Sequence, residues 1–542
     1  MNVLIVGGVA AGTKVAAKLK REDPAAQVTI LTKGKDISYA GCGLPYYVGG
    51  VIERRESLVV NTPEKFEKLT GVKVITGAEV TGVNRQAKTV TVNMDGQEQT
   101  RSYDKLVIAA GASPIRPDCE GVDLKNVFFL RTPDDAVALR AAVDSGEIKR
   151  AVVVGGGFIG LEVAENLNAK GVKVSVIDYA PHILPGFLDG ELAEFVENKL
   201  ADSGVQCFTG VALQGILGEG KVEKVQTSRR AMKADACILA MGVRPNTAFL
   251  KDSGLEMVKG ALVTNQYLQT NDPDIYAVGD CALVTNRLTG APQWSPMGST
   301  ANIAGRVAAK NIAGGQLAYP GVLGTGVAKL PGICVGRTGL NAQAARDAGY
   351  DPESVLAVLD DKAHYYPGSG LFIIKLLADK KSHMLLGLQV LGTGAVDKVV
   401  DIAVTAISMK ATLEQLQCMD FAYAPPFSTA IHPFAHAVNI LLNKLSGVMD
   451  SMTPGEFAEG AEEYRIVDAA QTPAIPTAPF VDFSRVDGPV EGLGKDEKLL
   501  LVCTKGRRAY LLQNRLKNLG YTNTRVLEGG VSFNTALLEE EE

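Results

Sequence analysis

Short unbroken apolar runs alternate along this chain with amphipathic stretches, the pattern of strands buried on both faces and of helices that cover them. Asn2–Val6 is apolar and runs into Gly7-Gly8-Val9-Ala10-Ala11-Gly12. A helical period follows over residues 13 to about 21, and Gln27–Leu31 reads as the next strand. The same order recurs further on. Arg150–Val154 leads into Gly155-Gly156-Gly157-Phe158-Ile159-Gly160, a helix to about residue 169, and a strand, Lys173–Ile177, that ends at Asp178. Residues 103–109 read as a strand closing on Ala110-Gly111, and residues 270–278 as a strand closing on Gly279-Asp280. After Met452-Thr453-Pro454 the pattern restarts. Two strands, residues 464–468 and 498–502, are followed by Cys503-Thr504-Lys505-Gly506-Arg507-Arg508, a helix, and Leu527-Glu528-Gly529-Gly530.

Strand, glycine turn, helix, strand is the context that a dinucleotide fingerprint requires. The helix N-terminus offers free N–H groups and a dipole that favours a pyrophosphate. The first copy departs from the pattern twice: Val9 takes the middle glycine position, and Thr32 stands where an acidic residue usually meets the ribose. The second copy is complete, with Asp178 about twenty residues on. A carboxylate there repels a 2′-phosphate and favours NADH over NADPH.

At 542 residues the chain exceeds a single core, and its 46% hydrophobic and 21% charged residues suit a globular protein of several domains. A net charge of -5 gives no electrostatic case for nucleic acid or an anionic membrane. No apolar run reaches the roughly 18 residues of a membrane helix. The first strand follows Met1 directly, which leaves no room for a signal peptide. The eight cysteines form no CxxC pair and the five histidines no cluster, so reduced thiols, no metal and a cytoplasmic location are expected. Glu539-Glu540-Glu541-Glu542 reads as a solvated tail.

One cysteine stands apart. Cys42 lies between Gly41 and Gly43, followed by Leu44-Pro45-Tyr46-Tyr47, just after the first nucleotide unit. Flanking glycines let backbone approach a planar cofactor closely. A thiolate attacks sulfur where a thiol does not, so the site is expected to lower the cysteine pKa through a helix N-terminus or a cation.

Two fingerprints, the strand closing on Ala110-Gly111 and Ile275-Tyr276-Ala277-Val278-Gly279-Asp280 in this order resemble the two-dinucleotide-domain flavoprotein disulfide reductases. The resemblance implies FAD on Gly7, Gly8, Ala10, Ala11 and Gly12, with Lys33, Ala110, Gly111, Gly279 and Asp280 also in contact, Asp280 through the ribityl chain. It implies a nicotinamide nucleotide on Gly155, Gly157, Phe158, Ile159, Gly160, Asp178 and Gly242. A single cysteine before Gly-Leu-Pro-Tyr-Tyr is similar to the coenzyme A-disulfide reductase, NADH peroxidase and NADH oxidase branch. There one thiolate forms a mixed disulfide with a small thiol, or a sulfenic acid.

His364-Tyr365-Tyr366-Pro367-Gly368 and residues 421–428 resemble two patches of the coenzyme A-disulfide reductase dimerisation domain. Tyr366 (or Tyr365) and Tyr423 then match tyrosines that reach a partner subunit's cysteine. A homodimer is implied. Lys14, Lys18 and Arg21 recur on one helical face and suit the phosphates of coenzyme A, with Arg21 and Ser38 at matching ligand positions. Gly41 departs from the family's Asn, and His432 from an expected Asp. The Cys-x-x-Gly-x-Arg loop with the later Gly-Gly resembles a rhodanese domain, which implies Cys503 as a sulfane-sulfur carrier and Arg508 beside it. Asp468-Ala469-Ala470 lacks that family's usual Asp-x-Arg.

These readings give an α/β fold class. Two Rossmann-like domains bind FAD (1–115 and 245–325) and NAD(P) (116–244), an α+β dimerisation domain spans 326–450, and a rhodanese-like α/β domain spans 455–542. The implied activity is FAD-dependent, NAD(P)H-driven reduction of coenzyme A persulfide, polysulfide or coenzyme A disulfide. The alternatives are an NADH oxidase or peroxidase with a cysteine sulfenic acid, and a non-enzymatic sulfur-delivery or sensing protein.

Overall fold

The computed structural model describes residues 1–538, so the four closing glutamates lie outside the described residues. By backbone packing the chain divides into two units, residues 1–185 with 200–322, and residues 186–199 with 323 onward.

In the first unit, β1 (Asn2–Val6), α1 (Ala10–Glu22), β2 (Gln27–Leu31), β3 (Lys73–Ile75) and β4 (Lys105–Ile108) open one nucleotide fold. β5 (Arg150–Val154), α2 (Phe158–Ala169), β6 (Lys173–Ile177), β7 (Val205–Phe208) and β8 (Ala236–Leu239) build the other, and β9 (Ile275–Ala277) and α3 (Gly298–Ile312) return to the first. The first sheet runs β9-β4-β1-β2-β3 and the second β7-β6-β5-β8 with Val127–Phe128 at its edge. Pairings around β1 and β5 are parallel, and both strands are buried almost throughout, which is why they read as continuous apolar runs. Chain order and sheet order together make the first fold discontinuous.

Each glycine turn is sterically required. A Cβ on Gly12 would lie 1.9 Å from Gly7 O, and one on Gly160 1.9 Å from Gly155 O, so only glycine lets α1 and α2 start against their strands. Neither helix has a side-chain cap or an acidic residue in its first turn, which leaves those N–H groups for an anion.

The second unit holds an antiparallel sheet of β10 (Gly326–Leu330), β11 (Ile333–Gly339), β12 (Pro352–Asp360), β13 (Leu371–Asp379) and β14 (Leu385–Gly392), in the order β10-β11-β14-β13-β12. α4 (Val396–Ser408) and α5 (Pro433–Leu445) pack on it. A parallel sheet follows, built from β15 (Ser451–Met452), β16 (Arg465–Asp468), β17 (Leu499–Val502), α6 (Arg507–Asn518) and β18 (Thr524–Leu527), in the order β15-β18-β17-β16. Residues 186–199 pack here: Lys375 on β13 binds Asp189 at 2.6 Å and also Glu191, and Phe195 stacks on Phe533 at 5.2 Å.

Candidate active site

A cavity of about 520 Å³ opens along the first glycine turn. Gly7, Gly8, Ala10, Ala11, Lys33, Ala110, Gly111, Gly279 and Asp280 line it, while Gly12 lies beneath, against Gly7 O. The uncapped start of α1 and the glycine walls fit a dinucleotide pyrophosphate. Lys33 is tied to Glu79 at 2.9 Å, which brings a carboxylate to the cavity from another segment, where Thr32 supplies none. Asp280 is bound by Arg131 at 3.0 Å, and its carbonyl accepts Trp294 Nε1–H at 2.8 Å. Arg131 carried no signal in the sequence, because its role depends on a partner 149 residues away.

Cys42 sits on the single turn Gly41–Gly43, immediately before the short helix Leu44–Val48. Its Sγ lies 4.0 Å from where Gly298, the first residue of α3, would carry a Cβ. One side of the thiol is open to solvent, but the domain behind it desolvates it. Burial, then the carboxylates of Glu162 and Asp280, push its pKa up, with Arg131 opposing. The expected lowering is therefore not what the protein alone provides: burial and the two carboxylates outweigh the one cation. Tyr46 donates to Glu162 Oε1 at 3.2 Å, and burial pushes the Glu162 carboxyl up to about 6.

In the second fold, Gly157 caps α2, Phe158, Ile159 and Gly160 form its first turn, and Gly155 has φ +113°. Asp178 accepts N–H bonds from Gly156 at 2.6 Å and Ala180 at 2.7 Å, so its carboxylate braces the turn and stands at the strand end. Gly242 has φ +97° and accepts from Ile115 N, just before Val243–Pro245.

Lys14, Lys18 and Arg21 share a face of α1, beside α3. Lys18 pairs with Glu22, and Lys14 abuts Gly305 of α3. Arg306 and Lys310 are exposed on α3, and Lys310 and Arg21 both act on the Glu22 carboxyl. The sequence reading overlooked Arg306 and Lys310, although Asn302, Arg306 and Lys310 already recur at helical spacing. Ser38 takes a left-handed φ of +48°, and its Oγ accepts from Asn61 at 3.4 Å. Open space surrounds the position where Gly41 would carry a side chain.

In the second unit, Tyr423 hydrogen-bonds Tyr365, which raises its phenol pKa. Tyr365, Tyr366, Tyr423, Phe427 and Ile431 are all exposed. His432 caps α5 by accepting from Phe434 N. Cys503 is buried, and its Sγ accepts N–H bonds from Gly506 at 3.2 Å and Ala509 at 3.4 Å at the start of α6. Arg508 turns aside to Asp482 at 3.2 Å and to Ala469 O, over the Phe483 ring. Asp468 accepts three backbone N–H bonds, from Ala470, Ala474 and Ile475, and shapes that loop.

Two glycine-turn nucleotide folds, with a lone cysteine over the first, define a redox enzyme that passes electrons between two nucleotides and sulfur. The chain belongs to the pyridine nucleotide-disulphide oxidoreductase family, whose profile matches residues 1–308. That family's dimerisation domain matches residues 331–435, and a rhodanese-like domain matches 437–532. FAD and NAD(P)H are the cofactors that go with it. An NADH oxidase of Methanocaldococcus jannaschii is 36% identical over 82% of this chain and 100% of its own. The NAD(P)H coenzyme A polysulfide/persulfide reductase of Pyrococcus horikoshii is 36% identical over 81% and 98%. The solved NAD-dependent persulfide reductase from A. fulgidus superposes with a TM-score of 0.94 at 34% identity, covering 98% of this chain and 100% of that one. Among the described residues no helix is long and apolar enough to cross a membrane.

Proposed function

We propose that this protein is an FAD-dependent, NAD(P)H-driven reductase of coenzyme A persulfide or polysulfide, or of coenzyme A disulfide, with its rhodanese domain as sulfur carrier. One observation carries the reading. Cys42 stands at the head of α3, and the exposed face of that helix leads past Arg306 to Lys310, about 18 Å along, beside Arg21 and Lys14 on α1. That is the reach of a long flexible thiol arm whose far end carries several phosphates.

Cys42 Sγ attacks the inner sulfur of R–S–SH, forming Cys42–S–S–R and releasing HS⁻; with a disulfide it releases a thiolate instead. Bound FAD supplies a two-electron relay from NAD(P)H to that sulfur. Gly41 and Gly43 keep backbone bulk away from the reacting face. Arg131 offsets part of the charge of Asp280 and Glu162 at the thiol, whose pKa stays raised by burial and the two carboxylates. In the proposed homodimer, Tyr423 with Tyr365 or Tyr366 donates a proton to the thiolate leaving Cys42 of the partner subunit. The domain divisions 1–115 with 245–325, 116–244, 326–450 and 455–542 belong to this reading. A reducing cytoplasm is the proposed location, in keeping with eight free cysteines.

The test is anaerobic NADH oxidation with coenzyme A persulfide, glutathione persulfide and free polysulfide. Coenzyme A persulfide is expected to turn over best, Cys42→Ser to abolish turnover, and Arg306→Ala with Lys310→Ala to raise KM at least tenfold. The likeness to an NADH oxidase favours a second reading, in which Cys42 cycles through a sulfenic acid. Peroxide-dependent NADH consumption exceeding that with persulfide would establish it.

A further inference from the structure

A second cavity, of about 540 Å³, lies within the second unit, between α5 and β12 on one side and the Cys503 loop on the other. Its floor is apolar, from Val355 to Leu359 of β12. Along α5, His436, Asn439 and Asn443 face it at helical spacing, and none of the three side chains has a hydrogen-bond partner among the described residues. Arg507, exposed and likewise unpaired, stands on the opposite wall beside Lys505, which binds Asp360 at 2.7 Å. Gly506 also lines the cavity, and its N–H is the one that reaches Cys503 Sγ at 3.2 Å. Gly506 thus belongs both to the cavity wall and to the loop that holds the sulfur.

His436, Asn439 and Asn443 are half-buried and leave donors and acceptors facing the cavity above its apolar floor, the mixed lining of a small-molecule site. The two carboxamides lie about 6 Å apart along the helix axis, suited to a ligand with two amides separated by two methylenes. The guanidinium suits a phosphate, and the volume is that of a small-molecule site. We propose that this cavity docks the pantetheine arm of a coenzyme A thiol, with Asn439 and Asn443 on its amides and Arg507 on its phosphate, as the partner with which Cys503 exchanges sulfane sulfur. In the exchange the carrier thiolate bonds to the outer sulfur of Cys503–S–SH, the Cys503–S bond breaks, and Cys503 leaves as thiolate; RS⁻ becomes RSSH with no net oxidation. This site is separate from the α1–α3 cleft, and it rests on the sulfur reading above only for the identity of the carrier.

Calorimetry of coenzyme A with the full-length FAD-loaded Cys42→Ser protein tests it without NADH. Two sites per chain are expected, falling to one with Asn443→Leu or with the surface variant Arg507→Gln. One site in the parent protein, or two retained in both variants, overturns the proposal. With thiosulfate as donor, the kcat/KM for coenzyme A relative to that for cyanide should fall at least tenfold in both variants. A parallel fall for both acceptors would mean a structural role and overturn it as well.

Discussion

The Tyr46 phenol donates a 3.2 Å hydrogen bond to Glu162 Oε1, tying the segment that carries Cys42 to the first turns of α2. The bond brings a half-buried carboxylate into the field of the thiol, where it opposes thiolate formation. Because burial holds Glu162 up to about 6, its charge is present at neutral pH and absent in mild acid. Reactive thiol and nearby carboxyl are thus coupled titrating groups.

Glu162→Gln should lower the Cys42 pKa, because it removes a negative neighbour and keeps an oxygen for Tyr46. Iodoacetamide labelling of Cys42 at pH 8 is expected to speed up several-fold, with the whole labelling curve displaced to lower pH. Stability shifts with it. A carboxyl raised from 4.5 to about 6 contributes stability below pH 4.5 that is lost as pH rises through about 6. At pH 8 the Gln variant should be about 1–2 kcal/mol more stable than the parent, the advantage vanishing near pH 4. Superposable labelling curves would sink the coupling.

Arg131→Gln should act in the opposite direction. Arg131 is the cation that lowers the Cys42 pKa and the partner of Asp280 at 3.0 Å, so its loss leaves two carboxylates unopposed. Labelling of Cys42 at fixed pH is expected to slow, and the curve to move to higher pH. A shift to lower pH would show that Asp280 is not felt at the thiol.

The two glycine turns can be separated by one methyl group each. In Gly12→Ala the new Cβ meets Gly7 O at 1.9 Å, and in Gly160→Ala it meets Gly155 O at the same distance. Gly12→Ala is expected to purify depleted of flavin. Gly160→Ala should keep its yellow colour while the KM for NADH rises at least tenfold. Equal flavin loss in both would mean that the assignment of the two folds to their nucleotides is wrong.

Much of this fold is legible because its signals are local. β1, β5, α2 and β6 fall on the residues read from apolar runs and glycine turns, since a buried parallel strand needs no alternation and a close helix start needs glycine. The site was legible only in part. Cys42, Cys503 and the lining of the first cavity follow from motifs, yet the direction of the Cys42 pKa does not. It is decided first by burial and then by Glu162, Asp280 and Arg131, which come from segments far apart in the chain and meet only in the fold. Arg306 and Lys310 were missed for the same reason. Their spacing marks a helix face, but only the packing of α3 on α1 sets it beside Lys14 and Arg21.

Lys444 and Glu528 fasten α5 to the last parallel strand. Glu528 is buried and accepts from Lys444 at 2.8 Å, Ser451 at 2.7 Å and Leu356 N at 2.7 Å. Burial works against the Lys444 charge, but Glu528 and Glu353 more than offset it, and its pKa is raised. The stability it contributes is thus complete below pH 10.5 and lost only as pH climbs through the raised value. Lys444→Met leaves a buried carboxylate without its cation, which should cost about 3–5 kcal/mol. Adding Glu528→Gln removes that charge and should recover part of the loss, because an absent pair costs less than a broken one. Urea unfolding of the two single variants and the double variant measures the coupling, and strictly additive losses would mean that the pair does not act as a unit.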